Sequence, residues 1–76
     1  MVKIELKLFV TLTKYLPDNP DAYPVPRGTT LAGLIEALRI PEDSVKLIFV
    51  NGKKQESSYV LSTGDRVGLF PPVGGG

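Results

Sequence analysis

Cysteine and histidine are both absent from the chain. Without cysteine there is no disulfide framework, no thiolate zinc site and no thiol nucleophile. Without histidine the usual general base and the commonest metal ligand are missing, and with them the ordinary means of hydrolytic and metal-dependent catalysis. No Gly-x-x-x-x-Gly-Lys segment occurs, so the chain has no such loop with which to bind ATP itself. No apolar run approaches the ~20 residues of a membrane span, and the alternation that follows Met1 is not that of a signal peptide. A cytoplasmic location is the default expectation. An excess of charge of one sign is lacking too. Nine Lys and Arg against eight Asp and Glu give a net charge of +1, far from the dense basic surface that binding a phosphate backbone requires. Neither nucleic acid nor a membrane is an expected partner.

What is there reads as a small folded domain. The 76 residues are 42% hydrophobic and 22% charged, and a domain of this length buries only about 60% of the surface its unfolded chain exposes. From Val2 to Val10 the chain alternates. Ile4, Leu6, Leu8 and Val10 lie on one side and Lys3, Glu5, Lys7 and Phe9 on the other, the period of a half-buried strand. Phe9 is the apolar exception on the polar side. Thr11 to Leu16 is expected to form a short helical turn, and Pro17-Asp18-Asn19-Pro20 a loop. Ala22 to Pro26 reads as a second, short strand at a sheet edge, because Pro24 and Pro26 cannot donate to a ladder.

Leu31, Leu34, Ile35 and Leu38 follow the i, i+3, i+4, i+7 spacing of an amphipathic helix, with Thr30 as its N-cap and Pro41 as its stop. Gly33 inside it costs roughly 1 kcal/mol against Ala, which close packing against the sheet would offset. Val45 to Val50 is a continuous β-prone run, and Asn51-Gly52 is a strong type I′ hairpin signal. Lys53 to Gln55 would be the return strand, with Lys53 and Lys54 as ordinary solvated charge or as steering for an acidic partner. Glu56 to Leu61 is irregular and Thr63-Gly64-Asp65 turns. Arg66 to Phe70 is the last strand, with Val67 and Leu69 inward and Gly68 and Phe70 outward. The order is ββαβββ, an α+β domain in which a sheet of four to five strands packs on one main helix.

The segment Leu69-Phe70-Pro71-Pro72-Val73-Gly74-Gly75-Gly76 stands apart from this pattern. Pro71 and Pro72 fix φ and lack amide donors, so strand pairing ends there. Glycine has no Cβ, so Gly74, Gly75 and Gly76 suit a channel too narrow for ordinary side chains, with a terminal carboxylate as the reactive group. A glycine-rich end is also the form of an ordinary frayed terminus. The expected division is a folded domain over residues 1–72 and a flexible tail over 73–76.

Three stretches carry a resemblance to a known family. They are Gly28-Thr29-Thr30-Leu31, Val50-Asn51-Gly52, and Thr63-Gly64-Asp65-Arg66-Val67 leading into Leu69-Phe70-Pro71-Pro72-Val73 and the glycines. The whole chain resembles the ubiquitin-like β-grasp sulfur carriers, above all the small subunit of molybdopterin synthase. The resemblance implies that Gly76 is adenylated with ATP by a ubiquitin-activating-type adenylyltransferase and converted to a thiocarboxylate by a sulfur donor. It further implies sulfur transfer to the pterin precursor of molybdopterin in the active site of the large catalytic subunit. On this reading the chain binds no cofactor, is not itself an enzyme, and is a monomer when free. Pro71, Pro72, Val73, Gly74 and Gly75 would occupy the partner's channel, and Phe9, Ile48 and Phe70 would form the docking surface. Other sulfur acceptors, in thiazole, cysteine or tungsten-cofactor synthesis, remain open. So do attachment of Gly76 to lysines of target proteins and a plain binding module.

Overall fold

The alternation at the start of the chain folds as its period requires. In the computed structural model, which describes residues 1–72, Val2–Leu8 forms strand β1 with Val2, Ile4, Leu6 and Leu8 buried on one face. Tyr23–Val25 (β2) pairs antiparallel with β1 at one edge of the sheet. Pro24 lies opposite Lys3 there, and an edge tolerates its missing donor. Arg66–Phe70 (β5) runs parallel to β1 and antiparallel to Leu47–Val50 (β3), which turns back through Asn51 and Gly52 into Lys53–Lys54 (β4). The sheet order is β2-β1-β5-β3-β4, so the last strand is the central one. Asn51 and Gly52 both have positive φ, at 54° and 85°, as a type I′ turn demands.

Helix α1, Leu31–Ala37, covers one face of this sheet with Leu31, Leu34 and Ile35. Leu12, Ile40 and Leu61 close the core around it, each fully buried aliphatic side chain contributing about 1.5–3 kcal/mol. The first turn of α1 leaves no amide orphaned. Leu31 N–H donates to Tyr59 C=O and Ala32 N–H to Ser57 C=O; Gly33 N–H donates to the Thr30 hydroxyl at 3.1 Å. The irregular stretch after β4 is therefore a strap that caps the helix.

Three expectations fail locally. α1 ends well before Pro41. Arg39 adopts φ 61°, its N–H donates to Glu36 C=O, and Ile40 N–H donates to Ile35 C=O. This is a Schellman end, with an arginine where glycine is usual. Gly33 is exposed, so no packing against the sheet offsets its cost. Val10 does not continue β1: the strand stops at Leu8, and Val10 is 66% exposed at φ 55°. A left-handed backbone costs a β-branched residue about 1–2 kcal/mol. It starts the 3₁₀ segment Val10–Tyr15, which folds Leu12 back into the core.

Candidate functional site

Helix and strap cover one face of the sheet and leave the other open, and its residues follow from the strand register. Lys3, Glu5 and Lys7 of β1 alternate with the core set. Gly68 lies beside Lys7 on one side and Phe49 on the other, and Phe70 lies beside Leu47. Phe9 follows β1 directly, and its ring stacks on Phe70 with centroids 4.2 Å apart and planes 5° from parallel. Phe49 meets Phe70 edge-on at 5.6 Å and 83°. Aromatic pairs in these geometries add about 0.5–1.5 kcal/mol beyond their burial. Gly68 forms the floor: a Cβ there would stand 3.6 Å from the Phe9 ring and 3.7 Å from the Phe70 ring. Lys7, Arg66, Phe9, Phe49 and Phe70 border a shallow depression over this floor.

The sequence-predicted docking residues divide. Phe9 and Phe70 come together, as their phase implied. Ile48 does not join them. It sits opposite Leu69 and packs against the core, so this expectation is corrected: Phe49 takes the place assigned to Ile48. Both alternate sets of β3, Leu47 with Phe49 and Ile48 with Val50, are apolar, and a period-2 pattern cannot choose between two apolar faces. The hairpin does not decide it either: a two-residue turn pairs Val50 with Lys53 and Phe49 with Lys54, and two lysine partners mark neither face as the open one.

β5 is held on both sides up to its last residue. Phe9 N–H donates to Leu69 C=O at 3.2 Å and Lys46 N–H to Phe70 C=O at 2.8 Å. Pro71 is buried and Pro72 exposed, and neither has an N–H with which to prolong the ladder. Val73, Gly74, Gly75 and Gly76, where the reactive terminus is expected, lie outside the described residues. At the other end of β5, Asp65 is a buried hub. Its carboxylate accepts from Asn51 Nδ2 at 2.9 Å, the Tyr59 hydroxyl at 3.1 Å and Ser62 N–H at 2.8 Å. Burial, that hydrogen bond and the carboxylate's negative charge together raise the Tyr59 phenol above its ordinary value. The hub anchors the strap, the hairpin turn and the start of the central strand to one another. Among the described residues no group of three or more His, Cys, Asp or Glu is placed to hold a metal ion. No helix among them is long and apolar enough to cross a membrane.

Comparison with known proteins gives the chain a family. The model of the Mut7-C ubiquitin family matches residues 1–74. The chain belongs to the Mut7-C ubiquitin family. Its fold is accordingly the ubiquitin-like β-grasp, and solved structures agree. A candidate molybdopterin converting factor subunit 1 from Pyrococcus furiosus superposes with a TM-score of 0.74 at 28% identity, covering 96% of this chain and 100% of that one. Small archaeal modifier protein 1 of Haloferax volcanii superposes at 0.73 with 23% identity, covering 96% and 100%. The HVO 2177 protein of the same organism gives 0.75 at 24%, covering 99% and 87%. The last two share the fold with this member of the Mut7-C ubiquitin family. No curated protein matches it in sequence.

Proposed function

We propose that this chain is a sulfur carrier whose Gly76 carboxylate is activated and thiolated in trans. The carrying observation is the central strand, clamped up to Phe70 beside an aromatic cluster and continuing in sequence into Pro71-Pro72-Val73-Gly74-Gly75-Gly76. The likeness to the Pyrococcus furiosus protein supports the same reading and favours the molybdopterin precursor as sulfur acceptor.

A carboxylate is a poor electrophile and must first gain a leaving group. The Gly76 carboxylate attacks the α-phosphorus of ATP on a ubiquitin-activating-type adenylyltransferase, and pyrophosphate leaves. A hydrosulfide-level nucleophile adds to the acyl carbon, AMP departs with the C–O electron pair, and loss of a proton leaves the thiocarboxylate. The chain supplies the reagent. Having neither Cys nor His, it leaves proton transfer in the sulfur-transfer step to the large catalytic subunit of the synthase. Phe9, Phe49 and Phe70 dock while Pro72 to Gly75 thread the partner's channel; Pro71, expected in the channel, is instead buried against the domain and serves as the root of the segment. We place the cycle in the cytoplasm, where ATP for activation is available.

Appending a tryptophan after Gly76 tests the threading step. ATP–pyrophosphate exchange with the activating enzyme is expected to disappear while thermal unfolding stays unchanged; exchange at the original rate would contradict insertion of the terminus.

A further inference from the structure

The register of the sheet sets its open-face charges in a pattern that the sequence alone does not display. One row across three neighbouring strand pairs reads Lys7, Gly68, Phe49, Lys54. With strands about 4.8 Å apart, the two lysine positions stand about 14 Å from each other, one on each side of the aromatic centre. Arg66 lies one row below, beside Glu5, and Lys3 begins the same face. The face thus presents four cations against Glu5, a net +3 in a chain whose total is +1, which leaves the remainder of the molecule at −2. Lys3, Lys7, Lys54 and Arg66 are all exposed.

We propose that this face docks a protein surface with an apolar centre flanked by carboxylates, and that the carboxylates pair with Lys7 and Lys54 while the centre seats on Phe49 and Phe70. The occupant is the activating enzyme that takes the C-terminal segment, so the proposal rests on the carrier reading. The argument is complementarity. Buried aromatic area holds a complex together, and rim charges of opposite sign steer the encounter and fix its register. Two lysines about 14 Å apart fix the axis along which the partner lies, and the unlike rows on either side of that axis, Glu5 with Arg66 on one and Phe70 on the other, distinguish its two directions. Single-stranded nucleic acid also recognises cations beside aromatics, but it needs open ring faces for base stacking. Here Phe9 and Phe70 spend a face each on one another.

The test is ATP–pyrophosphate exchange by the ubiquitin-activating-type adenylyltransferase of the same organism, with the carrier as varied substrate. Lys7→Glu with Lys54→Glu is expected to raise the carrier's KM about tenfold or more at low ionic strength with kcat unchanged, the size of effect that paired rim charges produce. Lys7→Gln with Lys54→Gln should fall between this and the native chain. Lys14→Glu with Arg27→Glu makes the same change in net charge off this face and should move KM less than about twofold. Raising salt to about 0.5 M should shrink the difference between the native chain and the reversed pair. Equal KM for the two reversed pairs, or a KM indifferent to salt, overturns the proposal. So does tight, Lys7- and Lys54-dependent binding of an oligothymidylate, which would assign the face to nucleic acid. No exchange with the native chain defeats the carrier reading instead, and this proposal with it.

Discussion

Asp65 is, among the described residues, the one buried charged side chain, and three donors aim at its carboxylate. Replacing it with alanine removes the acceptor of the Tyr59 hydroxyl, the Asn51 amide and Ser62 N–H; Asn51 and Ser62 are exposed and Tyr59 half-buried, so water meets part of the loss and each bond costs about 0.5–1.5 kcal/mol. Asp65→Ala is therefore expected to lose about 3 kcal/mol of stability in urea denaturation, whereas Lys14→Ala, on the surface, should lose less than about 0.5 kcal/mol. Tyr59 gives the hub a pH signature. Its phenol is raised above 10.0 in the folded state, so the folded chain holds that proton more tightly than the unfolded chain does. The resulting stability is fully present below pH 10 and is lost as pH rises through the folded value. Tyr59→Phe removes this contribution, so the stability gap between native chain and variant should narrow above pH 10; a gap constant with pH would contradict the assignment. Locally, Thr63-Gly64-Asp65 was legible as a turn. The carboxylate's partners were not, because Asn51 and Tyr59 reach it only once the hairpin and strap have folded together.

At the scale of elements, periodicity was informative where one face is apolar and silent where both are. β1 declared its core face through Ile4, Leu6 and Leu8, and β5 through Val67 and Leu69. β3 declared none, and Ile48 was placed on the wrong side for that reason. Helix α1 was legible from its stripe and its Thr30 cap, but its end was set by backbone geometry at Arg39 rather than by Pro41. Gly33 supplies a direct check on the helix. A Cβ there would stand 3.4 Å from Thr29 Cγ2 and 3.6 Å from the Thr30 hydroxyl, ordinary contacts. Gly33→Ala is thus expected to stabilise the fold by about 0.5–1 kcal/mol in thermal or urea unfolding; destabilisation would mean that the glycine serves a close approach the structure does not show. The edges are defended by both length and chemistry, β2 having three residues and β4 two. Pro24 blunts β2, and two lysines make up β4, which discourages edge-to-edge pairing.

The whole molecule is a platform with two unlike faces. One packs Leu31, Leu34 and Ile35 against the sheet; the other exposes aromatics set among cations and roots the C-terminal segment on the central strand. Family and fold were legible from three short stretches, because turns and a strand end are fixed by local backbone needs. Of the aromatic centre, Phe9 and Phe70 were legible from their phase; Phe49 and the placing of Lys7 and Lys54 on either side of it were not, because they depend on register between strands far apart in sequence. The central claim is that Gly76 carries sulfur, and intact-mass measurement tests it most directly. After incubation with the activating enzyme, ATP and a sulfide donor, the mass is predicted to rise by the difference between one sulfur and one oxygen atom, and removal of Gly75 and Gly76 should abolish the rise. An unchanged mass in the presence of demonstrated adenylation, or high-mass conjugates in place of the thiocarboxylate, would contradict the account.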